Sequence, residues 1–390
     1  MSALHVHRAP FVLSPHRPPL ADGGVAVRAG RILDVGPFDI VTKLFPGART
    51  IEWQGVITPG LVNAHTHLQY TSMADVGQAE HDGFEAWMSA FMVGYERPND
   101  WGASAADGAA QALRSGTTAV AEIVTDPAAA PAVGEAGLGG IVFWEVMGWT
   151  DAEWRAGGAR TVEEQLRALP PAPTHGLSPH AVYSLDTGVM RELSALAARL
   201  GMRQHIHAAE SAFEDAFVRT GTGQLADEWR QVERRAEFRL LAEGGCGRSV
   251  IGYLDELGAL GPRTHLAHGI YVDADDRRLL RERDVAVALC PRSNAVIGLD
   301  EAPVAAYLRE GNRIAVGTDS LSSSPSLNLL QDVAELHRIA RRQGYADAEL
   351  HLRLLHAATR GGALALGLED TGVLSPGARA DLAVFPTAAT

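Results

Sequence analysis

Residues 60–67 read GLVNAHTH: an apolar run that ends on two histidines two positions apart. In a strand, residues i and i+2 face the same side, so His65 and His67 would point together from the end of a short buried strand. Seven further stretches share this texture: TTAVAEIV (117–124), GGIVFWEVM (139–147), THGLSPH (174–180), RQHIHAAE (203–210), RTHLAHGI (263–270), VAVALCP (285–291) and RIAVGTD (313–319). Most are followed by a segment of helical period, such as LDTGVMRELSALAARL or ADDRRLLRERD. Eight β-α units over about 300 residues fit a closed parallel barrel better than an open sheet. The expected class is α/β, a (β/α)8 barrel over residues 58–369.

Outside that span the texture changes. GGVAVRAGRILDVG (23–36) alternates apolar and polar positions around a glycine turn, and GVLSPGARADLAVF (372–385) is again strand–turn–strand. Residues 1–57 and 370–390 are expected to form a small β-sandwich together. Between the fifth and sixth barrel strands, residues 211–263 make a long connection. Part of it, GQLADEWRQVERRAEFRLLAEGG, reads as one amphipathic helix ending at Gly244. Long connections on the rim of a barrel usually shape access to the site.

Hydrophobic residues make up 46% of the chain and charged residues 21%, the balance of a globular enzyme. No apolar run is long enough to span a membrane. The N-terminus lacks the basic and apolar regions of a signal peptide, and Cys246 and Cys290 are too few for a disulfide framework, so a cytoplasmic location is expected. The formal charge of −13 argues against nucleic acid or an anionic membrane as partner and leaves a small molecule. Lys43 is the only lysine, which excludes any chemistry needing a lysine inside the barrel.

Imidazole nitrogen is a good ligand for Zn²⁺ and Fe²⁺. A second histidine pair, His205 and His207, shares one strand face, and Glu210 follows just past that strand's end. His207 is nearer the C-terminal rim and is the better ligand; His205 would lie one layer deeper, as a core histidine. Asp319 ends the eighth strand, His268 the sixth and His180 the fourth. Five strand ends thus carry His, Glu or Asp, which packing alone does not explain. Cys290 is expected to be a buried, inert thiol, and the charge run DADDRRLLRERD a solvated helix face.

PGLVNAHTH, SPHAVYS, HIHAAE, LAHGI, CPRSNAVIG and GTDS, in that order, resemble the motifs of the amidohydrolase superfamily. They are most similar to its branch of cytosine, guanine and adenosine-type deaminases and triazine hydrolases, and the likeness runs along essentially the whole chain. The resemblance implies a divalent metal held by His65, His67, His207 and Asp319, an acid/base role for Glu210 and Asp319, and His268 holding the attacking water or the developing oxyanion. His180 would line the substrate pocket, with Ser293 and Asn294 shaping the rim. Some members hold two metals bridged by a carboxylated lysine on the fourth strand. Lys43 precedes the first metal motif, so one metal is expected here, zinc first, with iron or manganese as alternatives.

The implied reaction is hydrolytic release of ammonia from an aminated heterocycle. Glu96, nine residues after Trp87, matches a glutamate that binds ribose hydroxyls in relatives acting on adenosine-derived nucleosides, which places both residues at the substrate. The resemblance points to an adenine nucleoside derivative such as aminodeoxyfutalosine, whose benzoate could pair with Arg219, Arg230 or Arg234. A homodimer is the assembly it suggests. Two readings compete: a hydrolase of cyclic amides or triazines on the same scaffold, and a barrel without catalysis that serves as a binding protein.

Overall fold

A computed structural model describes residues 3–15 and 17–386, apart from the side chains of Glu233 and Arg234. The first five strands are β1 (Leu4–Ser14), β2 (Arg17–Arg28), β3 (Arg31–Pro37), β4 (Arg49–Glu52) and β5 (Val56–Pro59). The next eight are β6 (Leu61–Thr66), β7 (Thr117–Val124), β8 (Gly139–Val146), β9 (His175–Pro179), β10 (Gln204–Ala208), β11 (Thr264–His268), β12 (Ala286–Leu289) and β13 (Arg313–Val316), and β14 (Leu382–Phe385) is the last among the described residues. All eight expected barrel strands are present. β6 to β13 pair in sequence order, every neighbour parallel, into one eight-stranded sheet. β6, β10, β11 and β12 are buried at every position, which is why their sequences read as apolar runs rather than as alternation.

Side chains fasten the first strand to the eighth. Asn63 Nδ2 donates to Thr318 Oγ1 at 2.7 Å, and the Thr318 backbone N–H returns to Asn63 Oδ1 at 3.1 Å. The Asp319 N–H then donates to the His65 carbonyl at 3.0 Å. Gly317 permits this close approach: a Cβ there would stand 2.8 Å from both His65 Cβ and Cys290 Sγ.

The connecting helices follow their sequence signals. In Thr187–Leu200, Val189, Met190, Leu193, Leu196 and Ala197 form the buried stripe. Asp186 caps its N-terminus by accepting from Thr187 N, and Gly201 ends it at φ 66°. Each such large side chain contributes about 1.5–3 kcal/mol on burial.

The small β-sandwich expected from both termini takes the form of one mixed six-stranded sheet, in the order β14-β5-β1-β2-β3 with β4 beside β1. Val12, Val25, Ile32, Ile57 and Leu374 pack on it. Lys43 lies on the exposed helix Phe38–Leu44, paired with Asp39.

Within the long connection, the stretch GQLADEWRQVERRAEFRLLAEGG differs from the single helix expected. It forms helices Gln224–Gln231, Glu233–Ala236 and Arg239–Glu243, broken at Val232 (ψ 102°) and Phe238 (ψ 132°). Phe238, only 1% exposed, turns into the core, a burial that one straight helix does not reproduce. The final stop is as expected, with Gly244 at φ 74°. No helix among the described residues is long and apolar enough to cross a membrane.

Candidate active site

Six barrel strands deliver titratable side chains to one buried cluster at their C-terminal ends. His65 Nε2 lies 3.4 Å from Asp319 Oδ1, and His67 Nε2 lies 3.8 Å from the same oxygen. His67 and His207 face each other through their Nε2 atoms at 3.3 Å. Three imidazole nitrogens and a carboxylate therefore point inward at close range. His65 Nε2 is buried and has no hydrogen-bond partner. A buried nitrogen left unpaired beside a carboxylate and the His67 imidazole is a donor set that suits a divalent cation, and the same His65 also meets His207 and His268 at ligand range.

The electrostatics agree with ligation. Burial, with the charges of neighbouring histidines second, lowers the His67 pKa to about 3 and holds that of His207 well below its ordinary value. Burial likewise lowers that of His65. All three are neutral at neutral pH, the form in which imidazole binds metal. For Asp319, burial works to raise the pKa, but its close contacts with the imidazoles of His65, His67 and His268 overcome it. The carboxyl stays ionised, well below the usual range.

Asp319 is also braced from behind. Its Oδ2 accepts the hydroxyls of Ser293 at 2.7 Å and Ser323 at 2.9 Å, and its Oδ1 accepts Ser320 N at 2.8 Å. Backbone strain collects at the same rim: Ala209 (φ 52°), His268 (φ 72°) and Asp319 (φ 59°) are left-handed without being glycine. Such residues cost on the order of 1–3 kcal/mol each and persist where the surroundings enforce them.

Glu210, raised in pKa chiefly by burial, places Oε1 3.5 Å from His268 Nε2. On its other side His268 Nδ1 lies 3.1 Å from Asn294 Oδ1. The Glu210 backbone N–H donates to Glu214 at 2.8 Å, which fixes the turn after β10. His180, its pKa lowered to about 4 by burial first, stands with its ring 4.9 Å from His207 and its Nδ1 2.9 Å from Ser184 Oγ.

Of the expected substrate residues, His180 borders the cluster, whereas Ser293 and Asn294 are buried behind Asp319 and His268 as their supports. Trp87 spends its indole N–H on the Ser322 carbonyl at 2.9 Å, docking the helix Phe84–Tyr95 onto the loop after β13. Glu96 is exposed at that helix's C-cap, outside the buried cluster. Arg219 is paired with Asp215, and Arg230 with Asp227 and the Gly221 carbonyl; the side chain of Arg234 lies outside the described residues.

Three participants carried no sequence signal. Glu145, next to last in β8, is buried and pushed up to about 8 by that burial, with Oε1 3.6 Å from His207 Nδ1. Glu122 on β7 takes the Leu68 N–H with both carboxylate oxygens, 2.9 and 3.0 Å away, and so holds the backbone just after His67. Ser323 is the third. Glutamates inside apolar runs can be found from sequence only as buried charges that need a partner.

Fold and cluster together define a hydrolase-type barrel with a metal-competent mouth. The chain belongs to the amidohydrolase family, which it matches over residues 56–389. It is 32% identical over 382 residues to a 5-methylthioadenosine/S-adenosylhomocysteine deaminase of Nitratidesulfovibrio vulgaris, covering 94% of this chain and 80% of the relative. It is 31% identical over 353 residues to an aminodeoxyfutalosine deaminase of Deinococcus radiodurans, covering 88% and 81%. A zinc-bound adenosine deaminase structure from Xanthomonas campestris superposes with a TM-score of 0.79 at 27% identity, covering 97% of this chain and 83% of that one.

Proposed function

We propose that the chain is a metal-dependent hydrolytic deaminase that removes the amino group from the adenine ring of a nucleoside derivative, with aminodeoxyfutalosine as the first candidate. The observation that carries this reading is the convergence of His65 and His67 Nε2 on Asp319 Oδ1, with His207 Nε2 3.3 Å from that of His67, beside the paired Glu210 and His268. His65, His67, His207 and Asp319 would hold one cation, zinc by preference, as in the Xanthomonas relative. A barrel without lysine supports a single metal.

A divalent cation held there supplies the Lewis acidity that brings the pKa of a water down toward 7. His268 orients the water oxygen toward the amino-bearing ring carbon. Asp319 takes a proton from that water as the new C–O bond forms. The π pair of the ring C=N bond moves onto the ring nitrogen, which takes the proton of Glu210; a raised pKa suits a carboxyl that must arrive protonated. Asp319 then passes its proton to the amino nitrogen, the C–N bond breaks with its electron pair leaving on ammonia, and the O–H pair of the added hydroxyl becomes the C=O bond as its proton returns to the Glu210 carboxylate. Burial of these groups keeps competing water away from them.

Metal analysis joined to an ammonia-release panel tests this. One equivalent of metal and turnover of aminodeoxyfutalosine, 5′-methylthioadenosine or adenosine are expected; release from triazines or cyclic amides alone would overturn the substrate class. Glu96 is proposed to bind the ribose hydroxyls, and unchanged kinetics in Glu96→Ala would remove that role.

A further inference from the structure

Beneath the proposed ligands the barrel interior holds a second layer of imidazoles. His205 lies two residues before His207 on β10, directly across from His265 on β11, and both are fully buried. His205 is not a satisfied core residue. Its Nε2 lies 3.0 Å from His65 Nδ1, while its own Nδ1 is buried with no hydrogen-bond partner. Phe143, with ring centroids 5.6 Å apart, and His265, at 4.4 Å, wedge the ring in place.

His65 turns Nε2 toward Asp319 and Nδ1 toward His205. An imidazole that ligates through Nε2 keeps its proton on Nδ1 and needs an acceptor there. In most metal sites that acceptor is a carboxylate, a carbonyl or water. The geometry points to His205 as the positioning residue of the metal site: its bare Nε2 accepts the His65 proton, fixes the His65 tautomer and ring plane, and raises metal affinity without touching the metal. This inference rests on the metal reading proposed above. Simple packing would need only the ring's shape, which phenylalanine supplies; an acceptor role needs a lone pair at the Nε2 position, which the glutamine side-chain oxygen can offer.

The two roles separate in purified full-length protein. Zinc affinity is measured by chelator competition and the site geometry by the visible spectrum of the cobalt-substituted protein. His205→Phe should lose about 10- to 100-fold in affinity and shift the cobalt bands, while His205→Gln should stay within about threefold of wild type. Equal affinities and spectra for wild type and His205→Phe, or equal losses in both variants, would overturn the inference. Failure of the wild type itself to bind metal would sink the functional reading instead. Should His205→Phe not fold, ¹⁵N-histidine NMR of the zinc-loaded wild type decides: His205 should appear protonated on Nδ1 and bare on Nε2, and the opposite tautomer would exclude the role.

Discussion

His268 Nε2 stands 3.5 Å from Glu210 Oε1, inside a cluster in which His65 and His67 face Asp319. Glu210 is thus next to the reacting centre but outside the donor set that would hold a cation. Glu210→Gln should lower turnover by about 10²- to 10⁴-fold while metal content, read by elemental analysis, stays at the wild-type level. Because the carboxyl must be protonated and burial raises its pKa, wild-type kcat/KM should fall on the alkaline side, as pH rises through that raised value.

Ser293 and Ser323 both donate to Asp319 Oδ2. Their removal frees the carboxylate to rotate away from the imidazoles. Ser293→Ala and Ser323→Ala should each weaken zinc binding by about tenfold, and the double variant by less than the product, because the two hydroxyls share one acceptor and lie 2.9 Å apart, so that either can take the other's place. Chelator competition with circular dichroism as a folding control measures this.

Burial pushes the Glu214 carboxyl up to about 8, against 4.5 in an unfolded chain. Between those values the unfolded chain releases a proton that the folded one keeps. The stabilising contribution is complete below the unfolded pKa and is lost as pH climbs toward the folded one, by up to about 1.4 kcal/mol per pH unit. Glu214→Gln should flatten this fall, since its side-chain oxygen can still accept the Glu210 N–H. Denaturant titrations at pH 5 and pH 8 should show a smaller difference for the variant than for wild type.

Asn63→Ala strips Thr318 of two partners inside a fully buried seam. Each orphaned group costs about 1–3 kcal/mol, so calorimetry should show a Tm lowered by several degrees. A Tm within a degree of wild type would mean that the seam holds without this pair.

The proposed ligands were legible because strand geometry makes them so: an i, i+2 pair at the end of an apolar run states both face and depth, and RIAVGTD announces a carboxylate at a strand end. Glu145 and Glu122 were not legible, because a lone acid inside GGIVFWEVM or TTAVAEIV has no spacing to read. Ser323 was hidden for another reason, since its partner Ser293 lies thirty residues away in sequence. Phe238 shows the limit of periodicity: an amphipathic stretch gave the right stop at Gly244, but tertiary burial bent the backbone ahead of it. His205 was rightly placed in the deeper layer, yet sequence gave no hint that its Nε2 would meet His65.

The β6–β13 seam ties the opening of the barrel to its close through the very residues that flank the ion-gripping groups: Asn63 and the His65 carbonyl on one side, Thr318 and the Asp319 amide on the other. Docking of the last strand therefore closes the ring and brings the Asp319 carboxylate to the histidines through the same few contacts. A barrel whose last strand has come away keeps its imidazoles but lacks that carboxylate.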